Sequence, residues 1–582
     1  MTATGAASRT GKTISLVKHA SPNGHLQQLL GKIIGYLAIL DSVLAVILII
    51  AAVIRGENLI ALLPFLAMLF IATIPIAMPS SFAVANAVEA KVLSQHHVLV
   101  SDLTGIQEAA NLNLLLVDKT GTITANKPSV VAFQNTSTLT DDEVLALAVG
   151  ATDERHPSVV DTAIQNAAAK TASPASQVTK YVPFTPGLGY SQATVTVDGQ
   201  APKTVRLGAY RVLSAQAENT PIISREILSR GRSVAVLADN QLLGVYILQD
   251  QPRSTSRQAI ADLQQRGIQV IMLTGDHQPT AATIAGEVGL SGQVLSFSDI
   301  TDTTDIGQLA GIADVVPENK LAITKQLQSA GYIVGMTGDG VNDAPALKQA
   351  DVGIAVENAV DLAKQSARMV LMTPGLTPIV DILDSGHRVY QRMMTWAITK
   401  LSRTAELTLF LTLGYLWLGN IPLSLNAMVL VAILNDLVTL VLGTDNTVIS
   451  HQPEQWNLKK LSRIAILLAS GWTIVGFGLL AWLHVTGVTP GRISTLLFIY
   501  LIFSAMVTIL MTRTTRHFWK SRPSNAVVTA IGGNCVLTLV LSWIGLGIAQ
   551  VTVTSTIIVI GLVLLTGIGL SFLPLGNLAN QD

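Results

Sequence analysis

Three aspartates and a lysine in the middle of the chain are spaced as phosphate chemistry would need them. Each aspartate follows a short apolar run: Asp118 in "LLLVDKT", Asp276 in "VIMLTGD" and Asp339 in "YIVGMTGDG", with Lys320 in "VVPENKLAI" between the last two. A carboxylate after a strand is often only a helix N-cap, and a lone one would carry no more than that. Several carboxylates meeting in one pocket cannot all stay ionised unless a cation neutralises them, and hard oxygen ligands suit Mg²⁺. One of them can then act as nucleophile on a phosphoryl group. The spaced elements "DKTGT", "TGD", Lys320 and "TGDGVNDAP" favour this chemistry over separate caps.

The elements that must position these residues follow from periodicity. The apolar runs predict buried strands, and stretches such as "RQAIADLQQRG" and "NKLAITKQLQSAG" predict helices closed by Gly267 and Gly331, residues suited to a C-cap. Strand, helix, strand, helix implies a doubly wound parallel sheet with helices on both faces. Ligands bind such sheets at the C-terminal edge of the strands, so the aspartates are expected to converge there.

The 582 residues are 49% hydrophobic and only 13% charged, a composition that calls for membrane spans. Lysines plus arginines equal aspartates plus glutamates, 37 each, so the charge balance gives no sign of a nucleic-acid partner. The single cysteine, Cys535, lies in an apolar run and rules out a disulfide within the chain. Apolar runs near bilayer length start at Ile33 to Ile54 and Leu59 to Ala77. They resume at Ala397 to Leu418, Leu425 to Leu442, Ile464 to Leu483, Ser494 to Met511, Ala526 to Ile548 and Thr556 to Leu573. That predicts about eight spans, with the polar segment between the second and third on the same side as both termini. The basic loops Arg513 to Arg522 and Leu458 to Arg463 share its face, while the opposite loops offer little beyond Arg55 and Arg492. By the positive-inside rule that face is cytoplasmic and the chain a multi-pass protein of the cell membrane. The first residues have no apolar core and form no signal peptide.

"DKTGTIT" (Asp118 to Thr124) with "MTGDGVNDAPALKQADVGIAV" (Met336 to Val356) resembles the P-type cation-transporting ATPases, most of all their plasma-membrane proton-pump branch. The resemblance implies a haloacid-dehalogenase-like doubly wound phosphorylation domain, an inserted α+β nucleotide-binding domain and a helical membrane domain. It implies that Asp118 is the phosphorylated nucleophile, that Lys320 lies near the transferred phosphate, and that Thr274, Gly275 and Asp276 form the phosphate-side turn. Asp118, Thr120 through its carbonyl, and Asp339 are the implied Mg²⁺ ligands, with Asn342 and Asp343 completing the hinge beside them. Asp250 and Arg253 in "LQDQPR" match an element linking the two soluble domains, although Gln251 replaces its first proline. In the insert, Phe184 matches an adenine-stacking aromatic and His156-Pro157 a nucleotide-contacting pair. The lysines expected there are instead Gly189 and Leu207, the latter with Arg206 beside it.

In the membrane half, "IATIPIAMPSSF" places Pro75 and Pro79 four residues apart in a span, where each removes a backbone N–H and opens the helix. "PIAMP" and "AILND" resemble the proton-pump versions, and Asp436 in the latter is an ionisable residue deep in a span, functional by default. The pumps' arginine late in the third span here is Leu407. Counted from the "WLGNIPLS" turn, Arg403 lies thirteen residues in from Leu416 and Asp436 twelve in from Ser424, so Arg403 is the expected counter-ion of Asp436. Glu406, three residues from Arg403, is a competitor for it, and snorkelling of Lys400 and Arg403 at the membrane boundary is the plainer alternative.

The family begins with two further spans and an actuator domain whose Thr-Gly-Glu loop directs water onto the aspartyl phosphate; "GKTISLV" resembles only the last actuator strand. A truncated reading frame, half of a split pump and a degenerate paralogue all stay open. The expected division is 1–31 actuator remnant and linker, 32–90 first two spans, 91–127 and 241–384 phosphorylation domain, 128–240 nucleotide-binding insert, 385–575 six spans and 576–582 tail. The implied activity is ATP hydrolysis through an aspartyl phosphate coupled to export of a cation, a proton. The alternatives are a subunit that phosphorylates itself without transporting alone, or a pump for another cation. ATP, Mg²⁺, the moved cation, the lipid bilayer and a separate actuator-bearing chain are the expected partners, with no nucleic acid.

Overall fold

A computed structural model describes residues 25–57, 59–73, 77–171, 176–185, 187–197, 201–219, 221–228, 231–301, 304–455, 457–514 and 521–572. The actuator-like stretch Gly11 to Val17, Pro75 and the 576–582 tail lie outside them. The chain divides into two compact units, one built on Asn113–Val380 and the other on Pro22–Leu112 with Asp381–Asp582.

The first unit holds two sheets. Its strands are β1 (Leu114–Asp118), β2 (Thr124–Asn135), β3 (Ser176–Val182), β4 (Tyr190–Val197), β5 (Lys203–Ala209), β6 (Arg232–Ala238) and β7 (Gln241–Pro252). They continue as β8 (Gln269–Leu273), β9 (Val294–Ser296), β10 (Gly311–Ala313), β11 (Val334–Gly338), β12 (Val352–Ala355) and β13 (Met369–Leu371). The parallel sheet runs β13-β12-β11-β1-β8-β10-β9. After β1 the chain builds outward on the β8 side, then crosses back to add β11, β12 and β13, so the strand order reverses at β1. That switch point is where such a sheet opens a crevice. Leu114 to Val117 are wholly buried because both faces of the sheet are covered, which is why the run is continuously apolar. The expected helices occupy Ser256–Gln265 and Pro317–Ser329, and each is followed two residues later by a left-handed glycine, Gly267 at φ 75° and Gly331 at φ 93°.

The second sheet is antiparallel, in the order β2-β7-β6-β5-β4-β3. Strand β2 starts straight after the DKTGT loop and β7 brings the chain back, with Thr124 opposite Pro252 and Asn135 opposite Gly244. The sheet of the insert therefore takes in residues on both sides of 128–240. The strands that carry the chain out and back bear no motif, and only pairing marks them. Two helices, Asp141–Gly150 and Val159–Ala168, start on capping boxes (Thr140 with Glu143, Ser158 with Asp161). They lay Val144, Ala148 and Ile164 against Val195 and Val236 of the sheet.

The labelled helices of the second unit are α1 (His25–Arg55), α2 (Leu59–Thr73), α3 (Met78–Gln95), α4 (Thr377–Leu418), α5 (Leu425–Val441), α6 (Leu458–Val485), α7 (Pro490–Thr512), α8 (Asn525–Ile544) and α9 (Val553–Ser571). Among the described residues six are by themselves long and apolar enough to cross a membrane: α1, α5 with its short extension, and α6 to α9. The other two expected spans fall on α2, apolar but only 15 residues long, and on the second half of α4, where Lys400, Arg403 and Glu406 dilute the apolar run. Helix α2 ends at Thr73 and α3 begins at Met78 with Pro79 in its first turn, where a proline's missing N–H costs no helical hydrogen bond.

Candidate active site

Asp118 ends β1 with Leu273 of β8 opposite it, and its backbone N–H donates to the Thr337 hydroxyl of β11 at 3.1 Å. The Lys320 ammonium donates to Asp118 Oδ1 at 2.9 Å and to Asp343 Oδ1 at 2.6 Å. All three side chains are buried. The second oxygen of Asp343 accepts the backbone N–H groups of Asp339 (3.2 Å) and Gly340 (3.0 Å), so one carboxylate fixes both the lysine and the turn after β11. Carboxylate oxygens of Asp118, Asp339 and Asp343 lie within 4.8 Å of one another.

These donors fit a divalent cation. They are hard oxygens, two of them at strand ends and the third, Asp343, at the start of the Ala344–Gln349 helix, and the wall facing them is a glycine: Gly121 sits at φ 74°, and a Cβ there would come within 2.9 Å of Asp339 Oδ2. Thr120, the implied carbonyl donor, immediately precedes it. Burial pushes the Asp118 carboxyl up to about 7, with Lys320 pulling it down and Asp343 and Asp339 adding to the rise. Burial likewise raises Asp339, helped by Asp343. Burial alone would lower Lys320, but Asp118 and Asp343 outweigh it and hold the ammonium above the ordinary lysine range. One ammonium thus faces three carboxylates, and the pocket retains a proton that a divalent cation would displace. Mg²⁺ binding is therefore expected to release protons near neutrality. Its apparent affinity should fall by up to about tenfold per pH unit below 7 and level off above it. Titration calorimetry in buffers of different ionisation enthalpy measures this, and a pH-independent affinity between 5.5 and 7 would contradict it.

The "TGD" turn lies beside β1. The buried Thr274 hydroxyl accepts the Asp276 N–H at 3.1 Å, and Asp276 Oδ2 accepts the Lys119 ammonium at 2.6 Å. Sequence reasoning passed over Lys119, whose signal was its place next to the nucleophile, and Thr337, two residues before Asp339. Gly275, Asp276, Lys119 and Thr120 line a cleft of about 520 Å³ that also takes in Asn126 and Asp250 of the strands leading to and from the second sheet. Asp250 accepts the N–H groups of Asn126 (3.1 Å) and Lys127 (3.0 Å) and the Thr124 hydroxyl. Arg253 donates to the Gly121 carbonyl at 3.1 Å. Both residues therefore hold the loop that follows the nucleophile. Asn342 is exposed on the turn between Gly340 and Asp343. Phe184 is 52% exposed on the connection from β3 to β4 and is not part of the lining of that cleft.

In the second unit a cavity of about 70 Å³ is lined by Ile71, Lys400, Arg403, Leu407, Asn435 and Asp436, among others. Arg403 and Asp436 therefore share a level, but they are not partners. Lys400 Nζ is the cation nearest Asp436, at 3.9 Å from Oδ1. The Arg403 guanidinium is taken by Glu406, by the Leu501 carbonyl and by the Ser504 hydroxyl at 2.7 Å. The expected pairing of Arg403 with Asp436 is thus corrected, and the competitor wins. Glu406 lies one turn from Arg403 on the same helix face, and α7 supplies two further acceptors, so Arg403 loses nothing by turning away. Both Lys400 and Arg403 are enclosed by protein, not snorkelling at a boundary.

A second network has no sequence signal at all. Glu89 of α3 accepts Arg388 at 2.7 Å and Arg392 at 2.8 Å, both from α4. Arg392 also donates to the Asp445 carbonyl at 2.8 Å, and the Asp445 carboxylate takes Arg513 at the end of α7.

Residues 112–351 match the family of haloacid dehalogenase-like hydrolases. Over 94% of its length the chain is 30% identical to a protein of Methanocaldococcus jannaschii named as a cation-transporting ATPase, and it covers 72% of that protein. It is 31% identical to plasma membrane ATPase 1 of Schizosaccharomyces pombe over 93% of this chain and 64% of that one. For plasma membrane ATPase 1 of Saccharomyces cerevisiae the figures are 29%, 91% and 62%. The chain thus spans less than two thirds of the length of the yeast proteins.

Proposed function

From the premise that the chain belongs to the P-type cation-transporting ATPases, we propose that ATP phosphorylates Asp118 and that the acyl phosphate drives a proton past Asp436. A carboxylate oxygen of Asp118 attacks the γ-phosphorus, the bond to the bridging oxygen breaks, and ADP leaves. Lys320 neutralises charge on the nucleophile and the incoming phosphoryl oxygens, and Asp343 keeps it in place. Mg²⁺, held by Asp118, Asp339, Asp343 and the Thr120 carbonyl, would supply further neutralisation of the phosphoryl oxygens. The clamp of Asp250 and Arg253 on the 121–127 loop keeps the nucleophile aligned when the insert moves. Adenine stacking on Phe184 is consistent with its exposure. The Thr-Gly-Glu loop that directs water in the family occurs nowhere in the 582 residues, so a further segment or a separate chain would have to supply it.

The observation that carries the choice of ion is the cavity at Asp436. Its lining offers one carboxylate, Asp436, beside two cationic side chains, Lys400 and Arg403, a charge balance that suits a proton better than a metal ion. Lys400 already supplies a positive charge 3.9 Å away, which repels a bound metal cation but stabilises a carboxylate that has just lost a proton. Glu406 offers no second cation site, being closed by Arg403 and Ser504. The basic loops support a cytoplasmic position for the soluble unit.

In sealed vesicles that hold the chain together with an actuator segment bearing a Thr-Gly-Glu loop and a trapped pH dye, ATP is expected to drive acidification. Asp436→Asn should abolish it, and Lys400→Met should lower the protons moved per ATP. ATP-driven charge movement without a pH change would replace the proton by another cation, and Lys400→Met with unaltered coupling would remove the lysine from the path.

A further inference from the structure

We propose that Asp41, in the first membrane helix, is a second proton-carrying carboxyl on the path that serves Asp436. This rests on the proton-pump reading above, but on different residues. The buried stripe of α1 runs Ile33, Leu37, Asp41, Leu44, Leu48 and Ala52, at the spacing of one helix face. Every other place in it is aliphatic. Asp41 itself is wholly enclosed by protein, and neither carboxylate oxygen has a hydrogen-bond partner among the described residues. A leucine would pack there without penalty. An ionised carboxylate with no counter-ion in mid-span costs several kcal/mol, and a bound proton removes that cost.

What faces Asp41 narrows the ligand. Helix α2, packed against α1, has no ionisable side chain from Leu59 to Thr73. The Thr104–Ala109 helix also packs on α1, and its Glu108 is not among the groups that act on Asp41. From α4 the group beside Asp41 is the Thr408 hydroxyl, which leans on the Ala405 carbonyl at 3.4 Å. The charged groups of α4 at this level are engaged elsewhere, Glu406 with Arg403 and Lys400 with Asp436. One carboxyl and one hydroxyl are too few oxygens for Na⁺ or Ca²⁺, but they suffice for a proton.

Thr408 also connects Asp41 to the known cavity. Thr404, Thr408 and Thr412 follow one another at four-residue spacing on one face of α4, all buried. Thr404 lines the cavity that holds Asp436, and the Thr412 hydroxyl has no partner among the described residues. Hydroxyls one turn apart are about 5–6 Å from each other, a gap that one bridging water spans, and each accepts on its lone pair as it gives up its own hydrogen, so the row with such waters passes a proton without gaining or losing one. When Asp41 has released its proton, the next one leaves the Asp436 carboxyl through Thr404 and Thr408. Asp436 remains as a carboxylate opposite the Lys400 ammonium, and Asp41 becomes the neutral acid again.

The test compares the chain, reconstituted with the same actuator segment, with its Asp41→Asn and Thr408→Val variants, by infrared spectroscopy and by protons moved per ATP split. Asparagine is isosteric with the neutral acid, so folding is preserved. Asp41→Asn is expected to remove one neutral-carboxyl C=O stretch at pH 7, Thr408→Val to shift that same band, and both to lower the proton-to-ATP ratio by about tenfold or more. Asp41→Glu should regain part of the coupling. A pumping wild type whose Asp41→Asn variant loses no such band, or pumps with the same ratio, overturns this proposal alone. A wild type that splits ATP and moves no protons overturns the proton-pump reading and the role of Asp41 with it.

Discussion

Asparagine in place of Asp118 will abolish the phosphate label that ATP and Mg²⁺ are expected to place on the chain. An amide offers no comparable nucleophile, so the loss should be complete and not graded. In the parent the label should be released by hydroxylamine and by base, as an acyl phosphate is. A label on serine or threonine, or one that survives Asp118→Asn, would remove Asp118 from the role. The variant has a built-in folding control. Burial holds the Asp118 carboxyl near 7 in the folded chain, above its ordinary value of 3.8. The folded state therefore binds the extra proton between those values, and Asp118 makes folding less favourable as the pH rises through that window. Asp118→Asn removes this penalty, so without Mg²⁺ at pH 8 its melting temperature should equal or exceed that of the parent. A lower one would mean that loss of label reports unfolding.

Loss of Lys320 is expected to have the next largest effect. Its ammonium is the cation between Asp118 and Asp343, and removing it leaves two buried carboxylates facing each other. Lys320→Ala should slow phosphorylation by about 10²–10³-fold, the usual consequence of deleting one charge-stabilising donor. The structural and catalytic parts can be separated by adding Asp343→Asn. The double variant relieves the repulsion and should regain thermal stability over Lys320→Ala, but it should stay slow because the ammonium that faces the phosphoryl oxygens is still missing. Rapid quench of phosphoenzyme formation beside a melting curve reads both, and a double variant restored in rate would make Lys320 only a structural counter-ion.

The meeting of Asp118, Asp339, Asp343 and Lys320 was legible because these residues come in or beside contiguous strings. "DKTGT" and "TGDGVNDAP" each deliver a strand end, a turn and the carboxylates in one stretch, and the β1 switch point does the rest. Lys119 and Asp276 were quoted in those strings, yet their contact spans two strands and no spacing announces it. Asp436 was legible as a charge where none is cheap, but not its partner. Counting residues from a turn gives height along a helix and says nothing of rotation. Lys400 and Arg403 differ by less than one turn in height, and about 60° of rotation at 100° per residue decides which meets Asp436. The limits of the insert stayed hidden because β2 and β7 recognise each other only by pairing.

Glu89 also has a history, set by the order in which the chain is made. Its partner Arg392 lies 303 residues further along. At about 5–20 residues per second a ribosome needs roughly 15–60 s to reach it, while α1 to α3 are already made. For that interval the carboxylate has no arginine, and the first helices cannot adopt the packing they show in the finished unit. They must wait, loosely held, for α4 to arrive. The Glu89 network therefore closes only after α4 has been made, and a chain halted before Arg388 should leave its first helices more open to proteolysis than the full chain does.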